Sequence, residues 1–145
     1  MGKINHKRVI LGGLAAGFLM NLMEMFVGGL LLGMDKQWQQ GLAALGKELK
    51  PDGVTMVSFL SIYFVLGILC VWVYAAMRPR FGAGPGTAVK AAVATWLIGA
   101  LLPTWINLTL EIYPTRTLLT YLGLALVEYI AGTLLGAWIY RESAS

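Results

Sequence analysis

The stretch VILGGLAAGFLMNLMEMFVGGLLLG, residues 9–33, decides what kind of chain this is. It is 25 residues of apolar and small side chains with one charge, Glu24. At 1.5 Å per residue a helix of this length crosses the roughly 30 Å hydrocarbon core of a bilayer. The basic residues ahead of it, Lys3, Lys7 and Arg8, give it the start of a signal peptide. A signal-peptide core has only roughly 7–15 residues and is followed by an Ala-x-Ala type cleavage site, which this run lacks. It therefore reads as a retained first helix.

Three further runs have the same character: Val54–Met77, Thr87–Leu110 and Thr117–Tyr140. Hydrophobic residues make up 58% of the 145-residue chain and charged residues 12%, about half the charged share of a soluble domain. Four such helices leave no polar residues to cover a soluble surface, so the reading is an all-α, integral membrane four-helix bundle forming one domain over residues 1–145. Cys70 is the single cysteine and lies in an apolar run, which excludes an intramolecular disulfide.

Charge sets the expected orientation. Lys3, Lys7, Arg8, Arg78, Arg80, Lys90 and Arg141 fall on one side of the spans, and Lys36, Lys47, Lys50 and Arg116 on the other. Positive residues favour the cytoplasm, so both termini are expected inside. The net charge of +4 lies between the spans rather than on one helix face, which speaks for orientation and against nucleic-acid binding. Trp38, Trp105, Tyr113 and Tyr121 suit an outer aromatic belt, and Trp72, Tyr74, Trp138 and Tyr140 an inner one.

The connections carry their own patterns. In residues 36–49, Trp38, Leu42, Leu45 and Leu49 recur at helical spacing among Gln, Lys and Glu. This predicts an amphipathic helix between helices one and two, capped by Asp35 and ended by Pro51-Asp52-Gly53. A surface anchor in the outer interface is favoured over a lid on a central opening. The turn Arg78-Pro-Arg-Phe-Gly-Ala-Gly-Pro-Gly matches no phosphate-binding motif. Arg78 and Arg80 are expected at lipid headgroups.

Chemistry concentrates in the spans. A charge at the bilayer centre costs about 2.5–3.5 kcal/mol on insertion scales. Glu24 and Glu128 each lie about 14–17 Å from the same membrane face, near the midplane. Asn21 is one turn from Glu24. Gly13, Gly17, Asn21, Glu24 and Gly28 form one stripe, and Tyr121, Ala125, Glu128, Gly132 and Gly136 another. Small residues mark packing faces, so helices one and four are expected to meet, within one chain or across a dimer. Two carboxylates at one depth in low dielectric do not both ionise readily; one is expected to keep its proton. The pair is then either a hydrogen-bonded clamp or a proton- or cation-binding site. Pro103 is expected to release the Gly99 carbonyl and to kink helix three, with Asn107 beyond it as a pathway candidate. Tyr63 shares a face with Gly67, Cys70 and Tyr74 and is the other pathway candidate.

The only histidine, His6, lies in the tail, which excludes Ser–His–Asp and Cys–His catalysis and leaves no haem ligand inside a helix. Two carboxylates and an amide make a poor transition-metal set, so no metal, cofactor or conventional enzyme is expected. The segments Leu11-Gly-Gly-Leu-Ala-Ala-Gly…Asn21-x-x-Glu24 and Tyr74-Ala-Ala-Met-Arg-Pro-Arg-Phe-Gly-Ala-Gly-Pro resemble small bacterial four-helix membrane proteins over nearly the whole chain. No activity is attached to that group, so the resemblance implies only a bacterial inner-membrane setting. The chain departs from small multidrug-resistance transporters, which share the four helices and a first-helix glutamate but whose other motifs are missing. The functional expectations are a small transporter or channel, oligomeric, or an accessory subunit docking a membrane partner.

Overall fold

The computed structural model describes residues 3–48, 50 and 52–141. Among them every regular element is helical. Four helices are long and apolar enough to cross a membrane: His6–Leu31, Gly53–Phe81, Pro85–Thr109 and Thr115–Ile139. The chain has the build of a multi-pass membrane protein, as the run at residues 9–33 indicates.

The first span begins as α1, His6–Met23, with the Asn5 side chain accepting the Arg8 N–H at 3.2 Å. At Glu24 it changes to a π-helical segment that runs to Leu31. Gly33 then takes a left-handed backbone, φ 61°, and starts α2, Met34–Ala44. Asp35 therefore lies inside α2 rather than capping it. The helix also stops short of residue 49. Gly46, at φ 68°, closes a C-terminal motif in which the Gly46 N–H reaches the Ala43 carbonyl and the Lys47 N–H the Leu42 carbonyl, both at 3.0 Å. The stop signal is this glycine, ahead of the Pro-Asp-Gly turn. Leu49 and Pro51 lie outside the described residues.

The second span, α3, covers Gly53–Phe81, with Asp52 accepting the Thr55 N–H at 2.7 Å. It continues through Pro79, four residues past the expected end. Proline removes one N–H, and the Gly82 N–H closes the last turn on the Arg78 carbonyl at 2.8 Å. The third span is α4, Pro85–Trp96, a π segment at Leu97–Leu101, and α5, Leu102–Thr109. The break sits where Pro103 withholds an N–H from the Gly99 carbonyl. The fourth span is α6, Thr115–Ile139.

α1 lies between α3 and α6, and α4 closes the ring on the other side. Glycines set these distances. A Cβ on Gly17 would stand 2.6 Å from Phe64 Cα and from the Tyr63 carbonyl oxygen. Gly13 lies against the Ile68 backbone, and Gly67 against Gly13 and Gly17. On the other side a Cβ on Gly12 would stand 2.6 Å from the Gly136 carbonyl oxygen, and Gly132 packs on Met20 and Ala16. The first helix thus uses two small-residue stripes. Gly13 and Gly17 face α3, whereas Gly12, Ala16 and Met20 face Gly132 and Gly136 of α6. The expectation that Gly13 and Gly17 meet helix four is corrected: two adjacent stripes, one residue apart in register, serve two different neighbours.

Candidate functional site

The two membrane carboxylates come together. Glu128 is 1% exposed on α6, and the half-buried Glu24 opens the π segment of the first span. Their side chains interact with each other, and Glu24 also meets the Tyr63 hydroxyl of α3. Tyr121, two turns from Glu128 on α6, lies close enough to feel both charges. Glu24 Oε2 and Glu128 Oε1 are buried without a hydrogen-bond partner. A buried acceptor left unmatched costs about 1–3 kcal/mol.

Backbone geometry makes room for the pair. A Cβ on Gly28 would stand 2.8 Å from Glu24 Oε2, so glycine there lets the carboxylate fold back along its own helix. The π turns begin at the glutamate itself, and π segments in otherwise α-helical spans concentrate at functional positions.

Asn21 does something other than join the carboxylates. Its amide donates to the Gly17 carbonyl at 3.0 Å and to the Leu60 carbonyl of α3 at 3.3 Å. It ties α1 to α3 below the site. Asn107 likewise donates to the Pro103 carbonyl at 2.9 Å, one turn back on its own helix. Of the α3 face, Tyr63 reaches the carboxylates. Tyr74 instead accepts the Gly84 N–H at 3.3 Å, and Cys70 Sγ lies 3.3 Å from Thr95 Oγ1.

α2 packs on the bundle, and of its apolar stripe Trp38 makes the contact. Trp38 stacks edge-on against Tyr113 and Tyr121, with ring centroids 4.5 and 5.8 Å away. Gly41 is buried under the Tyr113 ring, Met34 is buried, and the Thr117 hydroxyl donates to Gln37 Oε1 at 2.7 Å. Asp35 lies beside Gly29, near enough to Glu24 for their charges to interact. Spacing alone showed the apolar stripe of α2. It gave no sign that Tyr113 and Tyr121 would receive Trp38, because that pairing depends on the turn into α6.

At the opposite end Arg78 points inward. Its guanidinium sits 5.9 Å from the Tyr74 ring centre and 5.2 Å from that of Tyr140, whose hydroxyl accepts the Asn5 N–H at 3.3 Å. Arg80 is exposed. Among the described residues no group of three or more His, Cys, Asp or Glu is placed to hold a metal ion. No family model, curated protein or solved structure matches this chain.

Proposed function

We propose that the protein is a small membrane transporter or channel in which Glu24 and Glu128 share a proton or a cation near the bilayer midplane. The observation that carries this is the meeting of two carboxylates from different spans, each with a buried, unmatched oxygen, where the first span turns π-helical. A purely structural clamp has a cheaper solution in Ser, Thr or Asn, and Asn21 already provides one between α1 and α3. The setting we infer is a bacterial cytoplasmic membrane. The distribution of basic residues favours both termini inside, which would set α2 on the outer side. A bundle of four spans has little room for an internal pathway, so the working form is an oligomer.

The direct contact between Glu24 and Glu128 also favours a second reading, an accessory or assembly subunit in which the pair only joins the first and fourth spans. Proton and cation flux into liposomes separates the two. The variants are Glu24→Gln and Glu128→Gln, which keep size and hydrogen bonding but cannot titrate. Flux in the wild type that disappears in variants of unchanged thermal stability supports the protonatable site. No wild-type flux under any gradient, with Ala but not Gln variants losing stability, supports the clamp.

A further inference from the structure

The half of α3 nearest α2 stands apart from its neighbours. From Gly53 to Ile62 every residue except Thr55 is exposed. Among the described residues, no Cα of α2, of either π segment or of α5 comes within 8 Å of a Cα of α3. Closer to the termini α3 and the third span do touch, through Cys70 and Thr95. The separation begins where the third span turns π-helical at Leu97, ahead of Pro103. A released carbonyl and a π turn are recognised causes of a helix bend. On its other flank α3 stays fastened to α1 by Gly17 and by the bond from Asn21 to Leu60. Toward α2, α3 therefore stands clear of both flanking spans, the π segment that follows α1 and the α5 half of the third span.

Tyr63 links the foot of that gap to the carboxylates. Tyr63 is on α3 at the level of Gly17, above the Cys70–Thr95 contact, and its hydroxyl meets Glu24. The side chains around that gap are apolar and exposed: Val54, Met56, Val57 and Phe59 on α3, and Leu102 and Ile106 on α5. On the α1–α6 side the route from water is covered by α2, with Trp38 on Tyr113 and Tyr121.

Resting on the transporter reading above, we propose that this site takes a lipophilic amine from the bilayer. The amine enters sideways beside the free half of α3 and sets its ammonium on Glu24 and Glu128. Charge complementarity names the head group: Glu24 Oε2 and the fully buried Glu128 Oε1 lack partners, and an ammonium brings the missing donors. The Tyr63 and Tyr121 rings beside the pair also favour a cation. The apolar walls name the body, since a strongly hydrated ion gains nothing from them.

The test uses the full-length protein in lipid nanodiscs with adamantan-1-amine as probe and adamantan-1-ol as its neutral match. Calorimetry is expected to show saturable amine binding, at least tenfold weaker in Glu24→Gln and in Glu128→Gln, weaker as the pH is lowered, and absent for the alcohol. Gly123→Ala, at an exposed α6 position with nothing within 4 Å of its Cβ, is expected to bind like the wild type, and unchanged thermal stability of the Gln variants guards against misfolding. A diazirine-bearing analogue should label residues 53–63 and 102–109. Equal affinity for the alcohol, Gln variants that bind like wild type, or labelling spread over all lipid-facing helices would overturn the proposal. So would cross-linking of two copies through α3 with no labelling, which would make the opening a dimer contact. Proton flux lost in the Gln variants alongside unchanged amine binding would sink this inference alone. Glu-dependent amine binding without any flux would sink the transport reading and leave a binding site.

Discussion

Gly17→Ala tests the crossing that positions Tyr63 over Glu24. The added Cβ would stand 2.6 Å from Phe64 Cα and from the Tyr63 carbonyl oxygen. Non-bonded carbon contacts are optimal at about 3.5–4.0 Å, so α1 and α3 must part by about 1 Å. Both opposing atoms are backbone, so no side chain can swing aside. Overpacking of this kind costs about 1–3 kcal/mol. The same movement stretches the 3.3 Å bond from Asn21 to the Leu60 carbonyl past hydrogen-bonding range, at about 1 kcal/mol. The gain from replacing glycine in a helix offsets about 1 kcal/mol, which leaves a net loss of about 1–3 kcal/mol. Gly123→Ala is the internal control: it is exposed in α6 with nothing within 4 Å of its Cβ, and is expected to be neutral or up to about 1 kcal/mol stabilising. Equilibrium unfolding in mixed micelles of dodecylmaltoside and SDS measures both. If Gly17→Ala proves as stable as Gly123→Ala, the two helices do not cross backbone to backbone and the placement of Tyr63 fails with that crossing.

Glu111 adopts a left-handed backbone, φ 52°, where its N–H closes the end of α5 on the Leu108 carbonyl at 3.3 Å. A side chain there costs about 1–2 kcal/mol, so Glu111→Gly is expected to raise the midpoint of thermal unfolding despite the greater freedom of its unfolded chain. Asp52 caps α3, and the N–H of Thr55 holds its carboxyl below the usual value. A depressed folded value means that its stabilisation is present above the unfolded value and disappears as pH falls through the folded one. Asp52→Asn is expected to flatten the acid limb of a stability–pH profile, and an unchanged limb would refute the cap. Trp38→Ala removes two edge-on ring contacts and about 1 kcal/mol of packing beyond area. It should raise amide exchange in α2 while leaving α4 unchanged, and α2 exchange equal to that of the wild type would place that helix off the bundle.

The spans were legible because apolar length is a strong signal over 25 residues. The glutamate pair was legible from helix rise alone: it puts residue 24 and residue 128 at one depth in spans that run oppositely. What sequence pattern missed is angular. The Gly13–Gly17 stripe and the Gly12–Ala16–Met20 stripe differ by one residue in register, and one helix shows both to different partners. Asn21 shares the stripe of Glu24, yet its amide is taken by the Gly17 and Leu60 carbonyls. The left-handed Gly46 was a stop signal in plain view, outweighed by an apolar spacing that continues to Leu49.

The two π segments connect these points. Each occurs in a span next to α3, and each begins where that span ceases to lie within 8 Å of it. A π turn widens the helix and leaves hydrogen bonds poorer than α geometry does, so its placement has a cost that packing must offset. On the first span the packing that offsets it is the pair of glycine stripes below Glu24, which fasten α1 to both α3 and α6. On the third it is Ala88, Ala91 and Ala92, all fully buried below Leu97. The termini half of the bundle is thus built to be tight, with glycine and alanine at the crossings. The α2 half is looser, with the carboxylates at the boundary between the two. A clamp gains most in the middle of a tight interface. On the proposed reading, a site that must admit and release an ion gains most where tight packing ends, and the first span leaves α3 at Glu24.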